Sequence, residues 1–221
     1  MDIQLKQGGI FSGMKSYPDP EDVLAGLGDK VTVGLARAVA QTRKDLAAYR
    51  ETHTSWVSDS SERGLANWIH DRLWANLSAE FDGHSGIALS DREPTREITV
   101  GVNYRLRVKR HRIDGKVSSY ATQTALEFYA QGAQQAFPGY EEIRLIAGYD
   151  WDADTRSMGD AVLSLRDGEE AVVWHIALPE AGTGTVGVPA QPIRPTEPEP
   201  ALPTIDLPAA GSGDTKGEVG T

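Results

Sequence analysis

The sequence predicts an α+β fold, with N-terminal helices packed on a largely antiparallel sheet, one inserted helix and a disordered C-terminal tail. Three observations carry this expectation. Apolar residues recur at helical spacing before Gly83, they alternate with polar neighbours after it, and the composition changes abruptly near Glu180. The division that follows is an irregular lead-in over 1–19, a single domain over 20–180 and a Pro/Gly-rich acidic tail over 181–221.

In the lead-in, two glycine-containing patches and Tyr17-Pro18-Asp19-Pro20 read as turn. Asp19 to Gly28 fits a short helix. Val33, Leu35, Val39, Leu46 and Tyr49 then mark a longer one between Asp29 and Glu51. A further helix is predicted from Asp59, with Glu62 placed to reach back as in a capping box. Leu65, Trp68, Ile69, Trp74, Leu77 and Phe81 give it a broad apolar face that ends at Asp82-Gly83.

Beyond Gly83 three antiparallel strands are expected around Ile87 and Leu89, Ile98 and Val100, and Tyr104 to Val108. Their breaks fall at Arg92-Glu93-Pro94 and Gly101-Val102-Asn103. The inserted helix should open at Ser118 or Ser119, carry Ala121, Ala125, Phe128 and Tyr129, and stop near Phe137-Pro138-Gly139. Three last strands follow at Ile143–Tyr149, Met158–Leu165 and Ala171–Leu178, with a hairpin signal at Arg166-Asp167-Gly168-Glu169. The tail holds seven Pro, seven Gly and no Trp, Tyr or Phe, too little apolar surface to offset its ordering entropy. Its stretch Pro192 to Pro200 favours polyproline II.

Composition excludes several functions. The chain has 221 residues, 39% of them hydrophobic, and a net charge of −10, which opposes indiscriminate adhesion to nucleic acid or anionic lipid. It has no cysteine, so no disulfide, thiolate zinc site or cysteine nucleophile. With no apolar span or secretory signal, a cytoplasmic location is expected. The five histidines show no metal-binding spacing, and neither a Gly-x-Ser-x-Gly elbow nor a phosphate-binding glycine loop occurs. Asp150-Trp151-Asp152-Ala153-Asp154 opens like a calcium loop but has Thr155 where Gly is required and Ala161 where Glu is required, so it reads as a polar turn.

The informative segment is Tyr104 to Lys116, with six Lys/Arg against one Asp, inside a region 1–180 whose own balance is net −7. On a strand, Arg105, Arg107, Lys109 and His111 fall on one face, and Tyr104, Leu106 and Val108 on the other. Such a row of cations repels itself unless an anion lies across it. Phosphate-bearing ligands and an acidic protein partner both satisfy that need, with Arg110 and Arg112 extending the charge and Thr122 or Gln123 adding neutral hydrogen bonds. Cross-strand pairing with acids such as Glu97 satisfies it internally. Tyr149 and Trp151 share strand parity and are candidate stacking platforms for bases if they reach the surface beside the row.

The order helix, three strands, helix, strand around this segment resembles the core of the restriction-endonuclease-like nucleases, which hold a divalent ion on an acidic residue and an acidic-x-Lys pair. Glu97 or Asp91 stands for the first acid and Lys109 for the lysine. Arg107 occupies the place of the second acid, and an Arg there would repel Mg²⁺, which points to a degenerate phosphate binder more than to an active enzyme.

A second resemblance rests on Tyr104-Arg105-Leu106-Arg107-Val108-Lys109-Arg110-His111, on Ser119-Tyr120-Ala121-Thr122 with Ala125, Phe128 and Gln131, on Gly148-Tyr149-Asp150 and on Val173-Trp174. Over Asn67 to Leu178 the chain resembles an actinobacterial and phage group of no assigned activity, encoded near helix-turn-helix regulators or ImmA/IrrE-type metalloproteases. The resemblance implies a mobile-element, defence or toxin–antitoxin-like setting.

Three functions are therefore expected in order. The first is a cytoplasmic regulatory or defence-associated binding module whose basic strand engages nucleic-acid phosphates or an acidic partner, with no cofactor. The second is a divergent Mg²⁺-dependent nuclease using Glu97 and Lys109. The third is a protein–protein adaptor working through the N-terminal helices and the tail.

Overall fold

The computed structural model describes residues 17–92, 95–117, 122–130, 142–168 and 171–180. The expectations for residues 1–16, for Ser118 to Ala121, for Gln131, for the helix stop at Phe137-Pro138-Gly139 and for the tail fall outside them.

Helix α1 spans Pro20–Thr52, capped by Asp19, whose carboxylate accepts from the Glu21 amide at 2.8 Å. Gly28 interrupts it with φ 76°, a left-handed conformation open to glycine, so the two expected helices are two segments joined at a kink. Val23, Leu27, Val31, Leu35, Val39 and Leu46 form its buried stripe. A short α2 at Thr54–Ser58 went unforeseen, and Asp59 ends that turn instead of opening the next helix. Helix α3 runs Glu62–Phe81 and is capped by Ser61, whose hydroxyl accepts from the Gly64 amide. A hydroxyl two residues past Asp59 thus provides the cap that the spacing had given to the carboxylate.

Six strands follow: β1 (Ile87–Arg92), β2 (Thr95–Val100), β3 (Tyr104–Arg112), β4 (Ile143–Asp152), β5 (Ser157–Arg166) and β6 (Val172–Leu178). They make one sheet in chain order. Every neighbouring pair is antiparallel except β3 and β4, which are parallel because the inserted helix α4 (Gln123–Tyr129) lies in the crossover between them. Helix α4 begins at Thr122, whose hydroxyl accepts from Ala125, later than Ser118 or Ser119.

The pleat divides the core. Ile98, Leu106, Val108, Leu145, Tyr149, Trp151, Leu163 and Trp174 pack against α1 and α3, while Ile146 meets Ala125, Phe128 and Tyr129 of α4 on the other face. Two residues of the lead-in join the domain: Tyr17 Oη donates to Asp167 at 2.6 Å, and Trp174 Nε1 donates to the Pro18 carbonyl at 3.1 Å.

Gly148 of β4 is level with Lys109 of β3, and a Cβ there would lie 1.7 Å from the Lys109 carbonyl oxygen. Backbone cannot yield as a side-chain tip can. Gly148→Ala is expected to lower stability by at least about 2 kcal/mol, read as a shift in the urea midpoint at unchanged slope.

Candidate functional site

The predicted parity of β3 is observed, but most of its charge is spent inside the protein. Arg107 sits one strand from Glu97 in register, with Nε donating to Oε1 at 2.7 Å, its guanidinium 4.0 Å from the Phe128 ring centroid and Nη1 donating to the Thr124 carbonyl. Arg105 lies 3.9 Å from Glu97 and 3.3 Å from Glu142, which also pairs with Arg144 at 2.8 Å. Two guanidiniums expected to await a ligand therefore hold β2, β3 and α4 together.

Three further assignments change. His111 is fully buried, with Nε2 2.9 Å from Ser164 Oγ, and so does not extend the row. Arg110 lies on the opposite face, 3.8 Å from Glu62 and over the Trp151 ring, while Arg112 is exposed beside Asp114 at 3.7 Å. Tyr149 and Trp151 are each only 2% exposed within the main core, so neither offers a stacking surface. The parallel register explains it: Tyr149 is level with Arg110 and Trp151 with Arg112, on the parity opposite Arg107 and Lys109.

Lys109 is different. The ladder of β2 on β3 stops at Glu97 and Arg107, although β3 runs on to Arg112. Where the two strands part, a cleft of about 580 Å³ opens beside Lys109. Strands β1 and β2 bring Ser90, Arg92, Thr95 and Arg96 to it, and Thr122 and Thr124 at the start of α4 supply hydroxyls. His70 of α3 also lines it. Arg96 is held by Asp71 at 2.7 Å and Asp91 at 3.2 Å. Asp91, one of the two acids expected at the first metal-site place, thus serves Arg96. Among the described residues, Lys109 and Arg92 have no carboxylate within ion-pair distance.

Burial, and then the Arg107 charge, lowers the Lys109 pKa; burial, then Arg96 and Lys109, lowers that of His70 and favours its neutral form. Arg92, Arg96, Thr95, Ser90 and His70 were not foreseen as site residues. The signal was present in the hairpin: Thr95 precedes Glu97 by two, so extending the Glu97–Arg107 register brings the β1–β2 turn level with Lys109.

A second polar cluster lies inside the domain. His111 and His175 stack at 5.4 Å between centroids, and His175 Nε2 is 3.5 Å from Asp150 Oδ1. The set Ser164, His111, His175 and Asp150 has the composition of a hydrolytic centre, but Ser164 is 1% and His111 0% exposed, so no substrate reaches the hydroxyl. Among the described residues no group of three or more His, Asp or Glu is placed to hold a metal ion. Asp152 accepts from the Asp154 and Thr155 amides, as expected of a polar turn. No described helix is long and apolar enough to cross a membrane. Comparison with protein-family models, curated proteins and solved structures finds no match.

The buried cluster sets an acid response. Burial, followed by His175 and Arg166, depresses His111 to about 3, so its contribution is complete above pH 6.5 and is lost as pH falls toward 3. Burial, followed by Asp160, raises Asp150 to about 6, so its ionisation destabilises the fold progressively as pH rises from 4 to 6. The two slopes oppose each other between pH 4 and 6. Relative to the parent protein, Asp150→Asn should lose stability more steeply on acidification across that window. His111→Gln should lose it less steeply, by up to about 1.4 kcal/mol per pH unit. Urea titrations at pH 4, 5 and 6 measure both.

Proposed function

We propose that the protein is a cytoplasmic regulatory or defence-associated binding module that engages nucleic-acid phosphates at the cleft between β2 and β3. One observation carries the reading: Lys109 is half-buried and, among the described residues, has no carboxylate within ion-pair distance, while the arginines beside it on the strand do. An ammonium withdrawn from water without a counter-charge is costly, and a phosphate oxygen in the cleft offsets that cost. Arg92 supplies a second cation, and the hydroxyls of Thr122 and Thr124 add neutral contacts of the kind that position a backbone without reading bases.

Lys109→Ala should weaken binding of a labelled oligonucleotide about tenfold at low salt and reduce the log affinity against log salt slope by about one. Arg112→Ala, altering an exposed residue outside the cleft, should change affinity much less. Equal affinity of the parent and Lys109→Ala would place any nucleic-acid contact elsewhere. Binding of an acidic peptide in preference to the oligonucleotide would assign the cleft to an acidic protein partner.

The nuclease reading is favoured by one feature: Glu97 on β2 and Lys109 on β3 line the same cleft. Against it, the Arg107 guanidinium occupies Glu97, so a metal ion would have to displace a bonded cation. Cleavage of DNA or RNA that requires Mg²⁺ or Mn²⁺ and disappears in Glu97→Gln would establish this enzyme. Its absence with either metal leaves the binding reading in place.

A further inference from the structure

Four aromatic rings gather where α1, α2 and α3 meet. Tyr49 of α1 stacks on Trp68 of α3 with centroids 4.6 Å apart and planes 9° from parallel, and His53 stacks on Trp56 of α2 at 4.6 Å and 10°. Tyr49 and His53, one helical turn apart, join the two stacks at 5.5 Å. The first stack is explained by the fold, since it ties α1 to α3. The second is not: Trp56 is 64% exposed, and an indole left in water contributes little to the stability of the domain. A flat aromatic face in solvent suits a ligand whose own surface is rigid and apolar.

The chain itself carries such a ligand. Pro189, Pro192, Pro195 and Pro198 recur at every third residue, in the stretch Pro-Ala-Gln-Pro-Ile-Arg-Pro-Thr-Glu-Pro. Polyproline II has three residues per turn, so in that conformation the four rings fall on one edge, about 9 Å apart. Proline presets that conformation, so laying it on aromatic side chains costs little ordering entropy. We infer that the face formed by Tyr49, His53, Trp56 and Trp68 is a docking surface for polyproline segments, and that its occupant is the 189–198 repeat of the same chain.

Reach and concentration favour the chain's own repeat. Arg43 Nη1 donates to Glu180 Oε1 at 2.6 Å, which holds the last described residue against α1. Tyr49 and His53 lie further along that helix from Arg43, at about 9 Å and about 15 Å for a rise of 1.5 Å per residue. The chain from Glu180 to Pro189 spans up to about 30 Å when extended, so the repeat reaches the rings with slack. A linker of this length gives an effective concentration of about 1 mM, at which an intrinsic Kd of about 0.1 mM keeps roughly nine molecules in ten docked. A second copy at micromolar concentration, or a polyproline segment of another protein, has to compete with that.

The test exploits the absence of cysteine, which lets one introduced thiol carry bimane, a fluorophore that a tryptophan in contact with it quenches. On the full chain the label is placed by Thr196→Cys, within the repeat but off the proline edge, or by Thr215→Cys, beyond it. The first label should be severalfold dimmer than the second, and the deficit should not change on dilution. Trp56→Phe, a change outside the buried core, should restore most of the emission and so identify the quencher. Pro192→Ser combined with Pro195→Ser should restore it with Trp56 in place, which quenching by mere proximity of the tail would not show. Equal brightness of the two labels overturns the inference, as does quenching that survives either Trp56→Phe or the double proline change. Quenching that fades on dilution overturns the assignment to the same chain and gives the surface to the repeat of a second copy.

Discussion

The Glu97–Arg107 contact is the constraint on which the site depends. It is the last rung between β2 and β3, and only 12% of the Arg107 and 18% of the Glu97 side chain is exposed. Withdrawing a guanidinium this far from water is tolerable because it meets the carboxylate at Nε, the Thr124 carbonyl at Nη1 and the Phe128 face beneath. Those three answers come from β2 and from two turns of α4, so Arg107 ties the crossover helix to the sheet from β3, as Arg144 does from β4 through the Glu127 carbonyl. The strands part just beyond it, and the cleft is what that parting leaves.

Much of the architecture was legible. Period two after Gly83 located all six strands, and the two-segment first helix followed from Gly28. The helix α2 and the true N-terminus of α3 were not, because Asp59 and Ser61 are both good caps and the choice between them depends on how the preceding turn packs Val57 into the core. The parallel pairing of β3 and β4 is a consequence of connection length. Any crossover long enough to hold a helix permits it, and nothing within either strand announces it.

The site was legible in its face but not in its chemistry. Alternation placed Arg105, Arg107 and Lys109 together, yet which of them were already paired depended on Glu142, 37 residues beyond Arg105, and on a register no local pattern encodes. Likewise Tyr149 and Trp151 have the parity expected of them. The offset of β4 against β3, which sets Arg107 level with Ile146 and Arg110 level with Tyr149, decides that this parity faces the core. His111 lies on the basic face in the pattern, but burial beside Ser164 makes it neutral and structural.

The arginine at 107 also bears on what the cleft can do. An acid there would stand directly across the ladder from Glu97, and two carboxylates so close would repel unless a proton or a divalent cation joined them. With arginine the pair is self-neutral and needs nothing bound, so Glu97 is no longer available as a ligand for an ion. The neighbouring Lys109 then lacks the negative surroundings a carboxylate pair would have provided, and among the described residues its ammonium, like the Arg92 guanidinium, has no carboxylate within ion-pair distance. One guanidinium in place of a carboxylate thus decides that the end of the β2–β3 ladder closes on an internal ion pair.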